Sequence, residues 1–189
     1  MKNKKTQKVA GIGLFTAIIV VLQLVASAIK FGPFSITLVL APIVIGAALY
    51  GIGAGAWLGA AFGVSVLISG DASAFLTINP AGTVVTVLLK GILAGLVAGA
   101  IYKVLEKKNT TLAVVVAGIA CPIVNTGIFI IGCYLFFQEW LIGVFGTTGF
   151  ATVFTGLVSI NFVIELAINM VLASVIVKLI KIGKKEVQK

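Results

Sequence analysis

Residues 79–103 read NPAGTVVTVLLKGILAGLVAGAIYK. The stretch is apolar and long enough to cross a bilayer, which takes about 20 helical residues, yet Lys90 sits inside it. A Lys at mid-membrane costs roughly 2.5–3.5 kcal/mol on insertion scales, so it faces a partner or a watery cavity. Asn79, Thr83, Thr86 and Lys90 are spaced four, three and four apart, which places them on one helical face. Beside that stripe Gly91, Gly95 and Gly99 recur at every fourth residue and offer a smooth surface to another helix. One span carries both a polar face and a packing face.

The rest of the chain is of the same kind. Of its 189 residues 60% are hydrophobic and 10% charged, with a mean hydropathy of +1.24; a soluble domain is closer to half apolar and a quarter charged. A polytopic membrane protein follows, with residues 1–189 forming a single bundle. The net charge of +9 rests on 14 basic residues, all lysine. Most of them cluster just outside apolar segments, where they set topology, and no basic stripe on a soluble fold suggests nucleic acid. Histidine is absent. Cys121 and Cys133 share one apolar segment; they stand about 18 Å apart on a helix, beyond disulfide reach, and read as packing residues. No cofactor is implied.

Six spans are expected, over 9–29, 36–50, 52–69, 82–103, 112–137 and 153–180. Ala26-Ser27-Ala28 imitates a cleavage site, but the apolar run before it exceeds the usual signal-peptide core and more spans follow, so the first is read as an uncleaved helix. Spans two and three meet at a tight Gly-rich turn, and Gly51, Gly55, Gly59 and Gly63 make a second ladder of small residues. Residues 70–81 and 138–152 read as loops. Pro122 removes a helical hydrogen bond to the Gly118 carbonyl and predicts a kink in the fifth span. The lysines of the N-terminus, of 103–108 and of the C-terminus fall on one side, and the opposite loops hold only Lys30 with Asp71 and Glu139. By the positive-inside rule both termini are cytoplasmic. The fold class is an all-α integral membrane bundle.

Three helices contribute intramembrane polar groups. The fourth offers Asn79, Thr83, Thr86 and Lys90, the fifth Asn125 and Thr126, and the sixth Asn161, Glu165 and Asn169, a row four apart. Counted from the external ends, Lys90 and Asn161 lie about 12 Å deep, Asn125 and Glu165 about 18 Å. They converge on one pocket in the outer half of the bundle. Two readings stay open there: Lys90 and Glu165 pair with each other and hold two helices together, or they serve a ligand. Enzymatic readings fare badly. A metal hydrolase wants His or clustered carboxylates, and the chain has five acidic residues in all. No Gly-x-x-x-x-Gly-Lys-Ser/Thr loop occurs, and Gly51-x-Gly53-x-x-Ala56 lacks the flanking strand that a dinucleotide fingerprint needs.

Asn79-Pro80-x-Gly82, Leu89-Lys90-Gly91 through Tyr102-Lys103, Cys121-Pro122-x-x-Asn125-Thr126-Gly127 and Asn161-Phe162-x-x-Glu165-x-x-x-Asn169 carry a resemblance over essentially the whole length. The chain resembles the substrate-binding S components of energy-coupling factor (ECF) vitamin transporters. The resemblance implies a six-helix, multi-pass protein of a bacterial cell membrane with an outward-facing vitamin pocket. It also implies a membrane T component and two cytoplasmic ATPases as partners, with no nucleic acid. The family docks its partner through Ala-x-x-x-Ala on the first helix; here Gly13-x-x-x-Ala17 keeps the spacing and departs at the first position.

The implied ligand site comprises Lys90, Asn125, Glu165, Asn161, Thr86 and Asn79. A pocket lysine suits a carboxylate, and few Trp and Tyr residues suit a flexible, non-aromatic ligand, so pantothenate is the first expectation. Where Glu165 already neutralises Lys90, pyridoxine, hydroxymethylpyrimidine or folate takes its place. The rival class is a stand-alone ion-coupled carrier in which Glu165 titrates.

Overall fold

A computed structural model describes residues 4–28, 30–31, 34–35 and 38–158, and farther on 162–163, 166–167, 170–171, 175–180 and 182. Helix α1 (Lys4–Ser27) is followed by a two-residue antiparallel ladder, β1 (Lys30–Phe31) with β2 (Phe34–Ser35), in which Lys30 faces Ser35. Helices α2 (Leu40–Tyr50) and α3 (Ile52–Ile68) turn at Gly51, whose φ of 98° lies in the left-handed region open to glycine. Short α4 (Ser73–Ile78) leads into α5 (Pro80–Leu105), then come α6 (Thr110–Phe136), short α7 (Gln138–Phe145) and α8 (Phe150–Val158). The described residues beyond α8 are helical.

By length and composition α1, α5 and α6 can each cross a membrane, whereas α2 and α3 are shorter apolar helices of 11 and 17 residues. At 1.5 Å per residue α2 runs only about 16 Å, roughly half the hydrocarbon thickness. It starts at Leu40 rather than at residue 36. Two segments expected as loops contain helices. In α4, SAFLTI makes one and a half turns and buries Phe75. In α7, QEWLIGVF buries Leu141 and stops at Gly146, whose φ of 68° gives the usual left-handed ending. Helix α6 continues through Pro122 without a break.

The helix starts follow from local chemistry. Asn79 caps α5, its side-chain oxygen accepting from the Gly82 N–H at 2.8 Å, and Pro80 occupies the first turn, where no donor is needed. Asn109 caps α6 in the same way, accepting from Thr111 and Leu112.

The two glycine ladders pack on each other. Gly55 lies against the backbone of Gly95, Gly59 against Gly91, and Gly63 against Val87 and Leu88, so α3 and α5 run antiparallel in direct backbone contact. A Cβ on Gly63 would sit 2.9 Å from the Val87 carbonyl oxygen. Lipid gives no hydrophobic reward for helix association, so this closeness supplies the dispersion contacts that hold the seam. Helix α2 fills the core beside it with Ile43, Val44 and Ala47 buried, and Ile176 and Ile180 join the same core from the far end of the chain. Cys121 and Cys133 are buried and unbridged.

Candidate functional site

The face of α5 turned to α6 carries the polar stripe. Thr83 is buried and its hydroxyl donates to the Asn79 carbonyl at 2.7 Å, so it serves the helix start. Thr86 is buried against Gly132, where the missing side chain on α6 makes room for it. Gly82 likewise meets Phe136. These two pairs set an antiparallel register that brings Lys90 level with Ile128 and Asn125 level with Leu93. Asn125 is then about one turn, ~4.5 Å, deeper than Lys90.

Lys90 is half-buried, its Nζ 5.5 Å from the centre of the Phe62 ring on α3 and 5.3 Å from that of Phe129 on α6. Two aromatic faces at this range attract a cation and lower the cost of its burial. Asn125 is 4% exposed, and among the described residues its Oδ1 has no hydrogen-bond partner; the same holds for the Thr86 Oγ1 and the Tyr134 hydroxyl. A buried polar atom left unpaired costs about 1–3 kcal/mol, a penalty that a bound polar molecule removes.

Phe129 links this group to an aromatic cluster. Phe75 of α4 meets Phe129 edge-on at 5.6 Å and Phe137 at 5.0 Å, and Trp140 of α7 lies 4.9 Å from Phe75. The short helices α4 and α7 thereby roof the Asn79 end of α5 and α6. On the same side of the molecule Gln23, buried in α1, donates to Asp71 at 3.2 Å and ties α1 to the turn before α4. Among the described residues no cluster of metal-ligating side chains occurs.

The structure thus brings Lys90, Thr86 and Asn125 into the α5–α6 interface and gives the Asn79 oxygen a capping role at its end. Glu165, Asn161 and Asn169 lie outside the described residues. Gly13 and Ala17 stand exposed on α1, with open space around Gly13. The aromatic neighbours were not expected. Phe62 follows Gly59 by three and Phe129 follows Asn125 by four, so helical spacing puts each on the face that its marker residue turns to α5. Few Trp and Tyr residues do not make the chain poor in aromatics, because it also holds 12 phenylalanines.

Comparison with curated proteins finds no match. A family model described as "ECF transporter, substrate-specific component" matches residues 7–180. That span runs from the second turn of α1 through α8 and takes in every polar group assembled above, and so the chain belongs to the family of substrate-specific components of ECF transporters.

Proposed function

We propose that this chain captures a small carboxylate-bearing vitamin, pantothenate first, beside Lys90 in the outer half of a six-span bundle with cytoplasmic termini. Substrate-specific components supply substrate binding for an importer and work with a T component and ATPases; they are not themselves enzymes. The finer assignment rests on one observation: a lysine stands within an apolar helix, and the buried Thr86 Oγ1 and Asn125 Oδ1 near it lack hydrogen-bond partners among the described residues. Lys90 would pair with the carboxylate, Asn125 would accept from a ligand amide or hydroxyl, and Thr86 would donate or accept. Glu165 and Asn161 would complete the pocket from the sixth span, and Gly13 with Ala17 would meet the T component. Calorimetric titration of the purified chain with pantothenate tests the reading. Lys90→Met is expected to weaken binding about 100-fold, the loss of one strong charge-assisted contact. Unchanged affinity in that variant removes Lys90 from the site.

A second reading draws on the rings. Phe62 and Phe129 already accompany the ammonium, and Phe75, Phe137 and Trp140 offer surfaces for a flat ligand. Pyridoxine, hydroxymethylpyrimidine or folate fits that environment. Pantothenate failing to bind while one of these binds tightly decides in its favour.

A further inference from the structure

At the end of the bundle away from Asn79 lies a cavity of about 970 Å³, bounded by the start of α1, the Gly51 turn and the last turn of α5. Lys8 enters it from α1 and Lys103 from α5, with Tyr50, Trp57 and Tyr102 in its wall. Among the described residues neither lysine has an ion-pair partner, and against Glu106, which also lines the cavity, the two leave one positive charge in excess. Trp and Tyr are the side chains that gather at headgroup level in a bilayer. Trp57 is 60% exposed, and its indole donates to the Thr16 hydroxyl at 3.2 Å, which fixes the ring beside the cavity. From it an apolar stripe runs up α3 through Val64 and Ile68, seven and eleven residues on, both exposed and on one helical face.

We infer that this cavity seats the phosphate of an anionic phospholipid between the Lys8 and Lys103 ammonium groups, with an acyl chain along Trp57, Val64 and Ile68. Basic pockets between membrane helices bind such headgroups, because cations on separate helices converge on one phosphate while the tail stays in hydrocarbon. The start of α3 adds to the fit: Gly51 gives it no side-chain cap, and Gly53 and Ala54 line the cavity. The site is independent of the vitamin pocket, which lies at the other end of α5.

Native mass spectrometry of the full chain with equal phosphatidylglycerol and phosphatidylcholine is the direct test. The chain retains phosphatidylglycerol in preference. Lys8→Gln and Lys103→Gln each reduce that preference about five-fold, and together about thirty-fold. Lys107→Gln with Lys108→Gln removes the same charge outside the cavity and leaves the preference intact. A preference that survives the first pair, or falls equally with the second, overturns the site. Displacement of the lipid by inorganic phosphate overturns the lipid assignment in favour of a free anion. Absence of any preference in the unaltered chain overturns it in favour of a protein partner. A second measurement leaves the lysines untouched. In a Trp140→Phe chain Trp57 is the sole tryptophan, and brominated phosphatidylglycerol quenches it more than brominated phosphatidylcholine does; equal quenching contradicts the proposal.

Discussion

Against α3, helix α5 presents glycine and bare backbone; against α6 it presents Thr86 and Lys90. The first contact has no room for even a methyl group at its facing glycines. The second is spaced by side chains, admits Thr86 only because residue 132 is glycine, and holds buried oxygens without partners among the described residues. One helix therefore has a rigid side and an unsatisfied side. The rigid side fixes where Lys90 stands, since its ammonium lies against Phe62, one turn beyond Gly59 on α3. The unsatisfied side is where a ligand can lower the free energy. The proposed role of Lys90 draws on both, because a lysine can meet a ligand reproducibly only when its helix cannot slide away.

The largest effect is expected at the rigid side. Gly59→Val drives a branched side chain into the Gly91 backbone, which cannot give way, and should cost about 3 kcal/mol or more, enough to lose the folded bundle in detergent. Gly53→Ala, two positions outside the seam and with nothing within 4 Å of its would-be Cβ, should leave the unfolding temperature unchanged. Equal tolerance of both would mean that the seam is not in backbone contact. At the unsatisfied side the readout is affinity. Lys90→Met keeps the length and removes the charge, and with it the ring contacts to Phe62 and Phe129. Vitamin affinity should fall about 100-fold by calorimetric titration; unchanged affinity with a lower unfolding temperature would show Lys90 to be a structural pair member. Phe129→Leu loses one ring beside the ammonium and one edge contact with Phe75, about 1–2 kcal/mol together. Thermal unfolding should register that loss, and the Lys90→Met background should shrink it, because the contact with the ammonium is already gone there while that with Phe75 stays.

Much of this contrast was written in the chain. The two ladders could be read as packing surfaces, since glycine at every fourth position makes a flat helical face wherever it occurs. That they pack on each other was not readable, for spacing along one helix carries no register with another. Nor could the ladder be read uniformly: Gly51 continues the spacing of Gly55, Gly59 and Gly63 but makes the α2–α3 turn instead. Lys90 and Asn125 were visible because a polar residue in an apolar span contradicts its surroundings. Phe62 and Phe129 were invisible for the opposite reason, as phenylalanine in a membrane helix agrees with everything around it. Helices α4 and α7 were missed because each is shorter than two or three turns and held by Phe75 and Leu141 packing inward rather than by propensity.

The smallest expected effect separates two roles at one residue. Asn79 heads the polar stripe, yet its oxygen accepts from the Gly82 N–H and so completes the first turn of α5. Asn79→Ala removes that acceptor and should cost about 1 kcal/mol, an ordinary loss for a cap. The drop in unfolding temperature alone does not distinguish a cap from a ligand contact that also stiffens the helix. Asn79→Asp does. Aspartate keeps the acceptor and adds a charge that the positive end of the helix dipole favours, so stability should hold or rise slightly. What it lacks is the amide N–H, which a vitamin oxygen would use. Retained stability with retained affinity makes Asn79 a cap alone. Retained stability with weakened affinity extends the unsatisfied face of α5 up to its first residue.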